Sequence, residues 1–481
     1  MFRVLRGSYL VAAGVLLAGA VLAQSDRGTI TGTVRDPAGS VIPSAEVSAV
    51  NPATGVVFRT ETTMTGSYTI ASVPSGVYDL TVQASGFSKY EQKGIRVQVV
   101  QTARIDVAMQ VGSVTESVTV TADAPLLTTE NAAQSTTIGR ERLNALPLNF
   151  AIGQGAVRNP LSFVQLSPGA SINGWNNIRV NGAPAGTFKI IFEGQDSTSA
   201  LDSRVSDESQ PSVEAIQEFT LQTSNYAAEF GQIAGGLFNF TSRSGTNEFH
   251  GAVYDYFAHE SLAAGYPFTD AGQGRLLRPQ VRRHDLGGSI GGPVILPRLY
   301  DGRQRTFFFF NYEMYRNREK RFDGYGTVPT EAYRNGDFRA ALTGRVLGTD
   351  GLGRPIPENA VYDPRSNRTV EGRIYRDLFP NNVVPRSYFD PVAAKIQELI
   401  PGPISGSLIN NFERRFEFRK IQDIPSVKID HSFSDASKMT FYYSRMRTDK
   451  DNGQDGLPDP ISQRRDQYIR SHTARINYDR S

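Results

Sequence analysis

The sequence predicts a mainly β chain of 481 residues: a β-sandwich, then an α+β segment, then the first strands of a transmembrane antiparallel β-barrel. Three observations lead there. Short alternating runs punctuated by Pro, Gly and Asn turns fill the segment after residue 27. Longer runs in the C-terminal half carry one apolar and one mixed face. Composition favours strands and turns over helical cores, with 45 Gly, 27 Phe and 20 Tyr in a chain only 39% hydrophobic.

The totals also exclude. A formal charge of +3 without a basic, aromatic-interleaved run argues against a nucleic-acid partner. Cysteine is absent, which removes disulfides, thiolate metal sites and thiol nucleophiles. Arg3 and Arg6 precede an apolar stretch from Tyr9 to Leu22 that closes on Val21-Leu22-Ala23. This reads as a secretory signal over residues 1–23, cut before Gln24. At roughly 14 residues it is short of the ~20 that a spanning helix needs, and no later run is longer and as apolar, so membrane residence requires strands.

Residues 27–110 read as about seven short strands, from "GTITGTVRD" to "ARIDVAM", with alternation in Tyr78, Leu80 and Val82 and in Ile105, Val107 and Met109. Turn chemistry falls at Asp36-Pro37-Ala38-Gly39, Asn51-Pro52-Ala53-Thr54-Gly55 and Pro74-Ser75-Gly76. The stretches "GTVRDPAGSVIPSAEV" and "TGSYTIASVPSGVYDLTVQASGF" resemble the carboxypeptidase-regulatory-like domain, which implies a transthyretin-like sandwich acting as a noncatalytic accessory module, sometimes grouped with carbohydrate-binding folds.

Residues 111–123 form a linker in which Glu116, Ser117, Val118, Thr119, Val120, Thr121 and Ala122 alternate β-branched and polar side chains before Pro125 breaks the run. A lone strand offers its edge to a partner, and an extra strand of the preceding sandwich is the plainer alternative. The segment resembles the TonB box, which implies strand addition by a TonB-type energy-coupling protein.

Residues 124–245 mix helix and strand signals. "RERLNALPL" predicts a short helix ending near Pro147, and "PSVEAIQEF" a second, with Ser212 as N-cap and Val213, Ile216 and Phe219 on one face. "NNIRVNG" and "FKIIFEG" are strand–turn units closing on Asn181-Gly182 and Glu193-Gly194. Gly231, Gly235 and Gly236 then allow tight turns and close backbone approach before the strand "LFNFTSRS". In this order the elements resemble the plug domain of TonB-dependent outer-membrane receptors of the Oar-like branch. Two departures stand out: Glu193 occupies a position where that family usually has an aspartate, and the stretch after "LPLN" lacks the expected arginine-containing pattern.

From residue 249 to 481 the alternation is that of membrane strands. In "TFFFFNYEMYR" Phe308, Phe310, Tyr312 and Met314 share a face expected to meet lipid, whereas Asn311 and Glu313 face the interior. "VKIDHSF" sets Val427, Ile429, His431 and Phe433 against Lys428, Asp430 and Ser432, and "ARINYD" alternates likewise. "DLGGSIGGPV" aligns Leu286, Ile290 and Val294. A Pro-, Gly- and Asn-rich insertion over about 323–411 suits a long outward loop. The basic run "RNREKR", residues 316–321, reads first as a plain exposed loop, the alternative being that its arginines meet lipopolysaccharide phosphates.

Enzymatic readings are weak. Gly287-Gly288-Ser289-Ile290-Gly291 satisfies G-x-S-x-G, but its glycines run on into Pro293 and a further strand rather than a helix. Asp449, Asp451 and Asp455-Gly456 suggest a calcium loop whose twelfth position is Pro460. No cofactor, metal or catalytic residue is expected.

The resemblances together imply the N-terminal part of an outer-membrane receptor. It would import a solute (a glycan, peptide or protein fragment) through a plugged barrel of about 22 strands, with the sandwich in the periplasm. Its partners would be a TonB-type protein, outer-membrane lipid and lipopolysaccharide. About six barrel strands are present, so the chain reads as a fragment of that barrel. The alternative is an adhesion or carbohydrate-binding protein anchored by the barrel.

Overall fold

The computed structural model describes residues 27–112, 117–121, 130, 132–146, 160–173, 177–198, 211–227, 230–231, 233–265, 267–268, 276, 278, 280–453 and 455–480. The predicted signal segment, Glu116, Ala122 and the expected helix end at Pro147 lie outside these residues.

The sandwich comprises β1 (Gly28–Arg35), β2 (Glu46–Val50), β3 (Val57–Glu61), β4 (Ser67–Val73), β5 (Gly76–Gln83), β6 (Lys89–Val97), β7 (Thr102–Arg104), β8 (Val107–Ala108) and β9 (Ser117–Thr121). One sheet runs β4-β1-β7 with β8 also on β1, and the other runs β3-β2-β5-β6-β9. Alternate residues of each, among them Ile30, Val34, Val47, Leu80 and Val82, point into one apolar core between the sheets. Tyr68 belongs to that core, and its hydroxyl donates to the Ile105 carbonyl at 2.8 Å, so the phenol is buried without an unmet polar atom.

The second unit contains β10 (Gln134–Gly139), helix α1 (Arg140–Ala145), β11 (Ala170–Asn173), β12 (Asn177–Val180), β13 (Lys189–Phe192), β14 (Gln195–Asp196), β15 (Ile216–Ser224) and β16 (Leu237–Ser242). Its main sheet is ordered β10-β15-β16-β13-β14, and β11 pairs with β12. The helix expected over "PSVEAIQEF" is not formed. Only Val213–Ala215 make a 3₁₀ turn, and the chain enters β15 at Ile216. From Glu218 onward the side chains follow a two-residue period, and β10 and β16 take both backbone edges, so sheet pairing overrides the helical spacing of Val213, Ile216 and Phe219. Ser212 does precede the turn but makes no side-chain cap; its hydroxyl is used elsewhere.

The third unit is one antiparallel sheet of β17 (His250–His259), β18 (Gln280–Pro293), β21 (Thr306–Gly326), β26 (Phe412–Ser434), β27 (Ser437–Asn452) and β28 (Arg465–Arg480) in sequence order. A small hairpin, β19 (Ile295–Leu296) with β20 (Tyr300–Asp301), closes one end. The insertion at the other end carries hairpins β22 (Val346–Thr349) with β23 (Pro355–Pro357) and β24 (Arg368–Val370) with β25 (Arg373–Tyr375). The run "RNREKR" is strand rather than loop. β21 continues through it to Gly326, because Arg316 pairs with Asp423, Arg318 with Glu417 and Arg321 with Glu319, so neighbouring acids compensate its charge. The connecting segment therefore begins at residue 327, not near 323. Among the described residues no helix is long and apolar enough to cross a membrane.

Candidate functional site: the second unit against the long sheet

The long sheet has two chemically different faces. On β21 the outward side chains are Phe308, Phe310, Tyr312 and Met314, of which Phe310 is 41% exposed; Phe307, Phe309, Asn311, Glu313 and Tyr315 are buried on the other side. Register carries the inner pattern across the wall, with Asn311 opposite Ser289 on β18 and Ser426 on β26, and Ser426 opposite Ser444 on β27. This row of small polar side chains faces the second unit, which lies against it. The outward row through Phe310 instead holds Ile290, Val427 and Tyr443.

The tightest contact comes from Glu193. It and Gly194 are the two corner residues of the β13–β14 hairpin, with φ of +51° and +73°. Such a turn favours Asn, Asp or Gly, so a glutamate there needs an external hold. Lys428 on β26 supplies it: Nζ lies 3.1 Å from Oε2 and 3.3 Å from Oε1, and donates also to the Ser242 carbonyl at 3.2 Å. The Ser242 N–H donates to Oε1 at 2.5 Å. The side chains are 2% and 9% exposed respectively. Burial alone would raise the carboxyl, but the Lys428 charge and the Ser242 hydrogen bonds outweigh it and hold Glu193 below its ordinary range.

Other contacts surround this pair. The Asn477 amide donates to the Glu193 carbonyl at 3.0 Å, and Arg475 donates to Gln195 at 2.9 Å and to the Ser197 hydroxyl. The Ser212 hydroxyl donates to Glu313 at 2.5 Å, and Tyr254 reaches the same carboxylate at 3.3 Å. The Arg243 guanidinium lies 4.5 Å from the Phe309 ring centroid. Phe192 meets Tyr442 edge to face at 4.9 Å. Apart from that aromatic contact the seam is mostly polar, whereas the unit packed against the wall has its own apolar core around Phe219, Phe238 and Phe240.

The sequence-predicted positions divide. Asn181 and Gly182 form a left-handed turn, φ +50° and +75°, and the Asn181 amide donates to the Thr223 carbonyl at 2.8 Å. Gly236 permits close approach: a Cβ there would stand 2.8 Å from Leu221 and 2.9 Å from Val180. The Gly235 N–H donates to the Thr187 carbonyl at 2.9 Å, while Gly231 faces open space. Ser117–Thr121 of the linker is β9, paired in parallel with β6 from Lys89↔Ser117 to Lys93↔Thr121. Ser289 lies within β18, its hydroxyl 3.4 Å from Arg243. Asp449 is met by Arg447 and Arg470, and Asp451 by Arg419. Among the described residues no group of three or more His, Cys, Asp or Glu could hold a metal ion. Lys428, Ser212 and Arg475 were not anticipated as contacts. The alternation of "VKIDHSF" does turn Lys428 inward, but its partner lies 235 residues away.

The family model described as "Outer membrane beta barrel domain" matches residues 241–481, half of the chain. The chain belongs to that family. A carboxypeptidase regulatory-like domain matches residues 29–110. The outer-membrane barrel family places the chain in the bacterial outer membrane. The TonB-dependent transporter Oar of Myxococcus xanthus is 29% identical over 306 residues, 62% of this chain. The chain spans only 28% of that relative's length. Among solved structures, the outer membrane transporter YddB of Escherichia coli aligns over 72% of this chain and 37% of its own, at 10% identity and a TM-score of 0.41. The siderophore receptor PirA of Acinetobacter baumannii aligns over 72% and 44%, at 16% identity and a TM-score of 0.30.

Proposed function

We propose that the chain is the sandwich, plug and first wall strands of a TonB-dependent outer-membrane receptor that binds a solute outside and imports it by moving the plug. The observation that carries this reading is a separately cored α+β unit held against the polar face of a membrane-type sheet by one buried ion pair and scattered hydrogen bonds. Polar contacts in a wettable seam exchange for contacts with water at small net free energy, so such a joint can part and re-form. The 29% identity to a protein named as a TonB-dependent transporter supports the same reading.

In this mechanism the coupling segment is Glu116 to Ala122. A TonB-type protein adds a strand to it, and the pull reaches the plug through the chain after residue 122. The face carrying Phe308, Phe310, Tyr312 and Met314 meets lipid, and the outer segment 327–411 helps select the solute, a glycan, peptide or protein fragment. No covalent step is involved.

Deleting Glu116 to Ala122 in the protein expressed in its outer membrane tests the proposal. Uptake of labelled glycans, peptides and protein fragments should become independent of the proton gradient and fall to background, while surface binding persists. Undiminished gradient-driven uptake refutes the coupling role; binding without any energised uptake in the undeleted protein supports an adhesin.

A further inference from the structure

The turn between β6 and β7 leaves the sandwich and enters the plug. Gln98 and Gln101 close it through a backbone hydrogen bond of 3.2 Å, and Val99 is 2% exposed although it lies at a turn corner. Its N–H donates to Oε1 of Glu218 on the plug strand β15, at 2.6 Å. Val100, the next corner, packs against the plug cluster of Ile191, Phe230 and Leu237. It does so with φ of +58°, a left-handed conformation that a β-branched residue rarely adopts. A strained corner of this kind persists where surrounding contacts over-determine it. Here those contacts belong to a different unit.

Glu218 is shaped for the same joint. The β15–β16 ladder shifts register between Ile216 and Glu218, and such an irregularity re-aims a side chain. Its own sheet neighbours, Gly139 and Thr241, cannot titrate. From the sandwich it faces the Ser75 hydroxyl and the Arg96 guanidinium; no ion pair to Glu218 forms among the described residues. A carboxyl is thus buried between two units, met by the Val99 N–H and the Ser75 hydroxyl and acted on by the Arg96 charge without an ion pair among the described residues. Burial is the dominant influence and pushes its pKa up to about 7, against the downward pull of Val99, Arg96 and Ser75.

We propose that this turn is a proton-responsive anchor: a protonated Glu218 carboxyl holds the sandwich on the plug, and ionisation of Glu218 loosens that hold. The sign follows from linkage. Undocking returns Glu218 to water and its ordinary value of 4.5, so the docked state binds the extra proton between pH 4.5 and 7. Docking is strongest below that window, weakens as pH rises through it by up to roughly tenfold per unit, and levels off above it. Periplasmic pH follows that of the medium, so the sandwich is clamped in acid and released at neutral to alkaline pH. The anchor does not depend on whether the protein transports a solute.

Hydrogen–deuterium exchange of the peptide spanning residues 97–101, in the detergent-solubilised outer-membrane protein, tests this. Rates are normalised to the intrinsic rate at each pH. Protection in the wild-type protein should fall at least tenfold from pH 5 to 8, with protection in β5 and β15 unchanged. Glu218→Gln, which keeps an oxygen acceptor but cannot ionise, should give a flat profile. Glu218→Leu provides a second non-titrating arm if the glutamine variant assembles poorly. A wild-type slope that survives in either folded variant, or no slope in the wild type, overturns the proposal.

Discussion

Replacing Lys428 by methionine should release the plug from its wall while leaving both units folded. The ammonium stands 3.1 and 3.3 Å from the two carboxylate oxygens of Glu193, a side chain only 2% exposed. At an effective dielectric of ~20 their attraction is about 5 kcal/mol, and removing one partner of such a pair typically costs about 3–5 kcal/mol. The lower end applies, because the Ser242 N–H still reaches Oε1 at 2.5 Å and the methionine fills the volume. We expect about 3 kcal/mol. Pairing Lys428→Met with Glu193→Gln removes the stranded charge and should recover at least half of the loss, a coupling visible in a double-mutant cycle. The loss is read by urea titration of the detergent-solubilised protein, followed by hydrogen–deuterium exchange of the β13 to β16 peptides. A Lys428→Met loss under ~1 kcal/mol, or strictly additive effects in the cycle, would show that the pair does not hold the plug.

Acid should act on the same joint. Glu193 sits below its ordinary value of 4.5, so its contribution is complete above that value and declines as pH falls through the lower, folded-state value; the acid limb of plug release should vanish in Glu193→Gln. Gly236→Val should cost about 1–3 kcal/mol by overpacking Leu221 and Val180, measured by the same urea titration. Phe310→Lys on the outward face should cost about 2–4 kcal/mol and lower the amount recovered in the outer membrane, whereas Ile374→Lys, on the outer segment and 68% exposed, should leave recovery unchanged. Tyr68→Phe should cost about 1 kcal/mol in the sandwich alone by orphaning the Ile105 carbonyl, read by thermal unfolding followed at sandwich peptides.

Period-two patterns made most of the architecture legible. Tyr78, Leu80 and Val82 announced a sandwich strand, and the contrast between Phe310 and Asn311 announced a wall with two environments, because alternation is a local property of the chain. The turn residues were equally readable, since Asn181, Gly182 and Gly194 carry their conformational preference with them, and only Glu193 adopts its turn against preference. What failed was local reasoning about segments decided at a distance. Ile216 to Ser224 has helical spacing at its start but is claimed on both edges by β10 and β16, and residues 316–321 look like a solvated loop until the acids that neutralise them arrive from β26 or two residues along. The site itself was half legible. Glu193 stood out by its departure from the usual aspartate, but the identity of its counter-ion depended on how the plug sits against the wall, and no spacing in the chain encodes that.

The row formed by Ser289, Asn311, Ser426 and Ser444 has one more implication. Greasy surfaces that separate in water recombine indiscriminately, with whatever apolar surface comes first. A lining of hydroxyls and amides, once bared, is simply soaked. In the proposed receptor, a plug drawn away would therefore leave no adhesive scar along this row, and the conduit would open and reseal over many cycles without trapping cargo there.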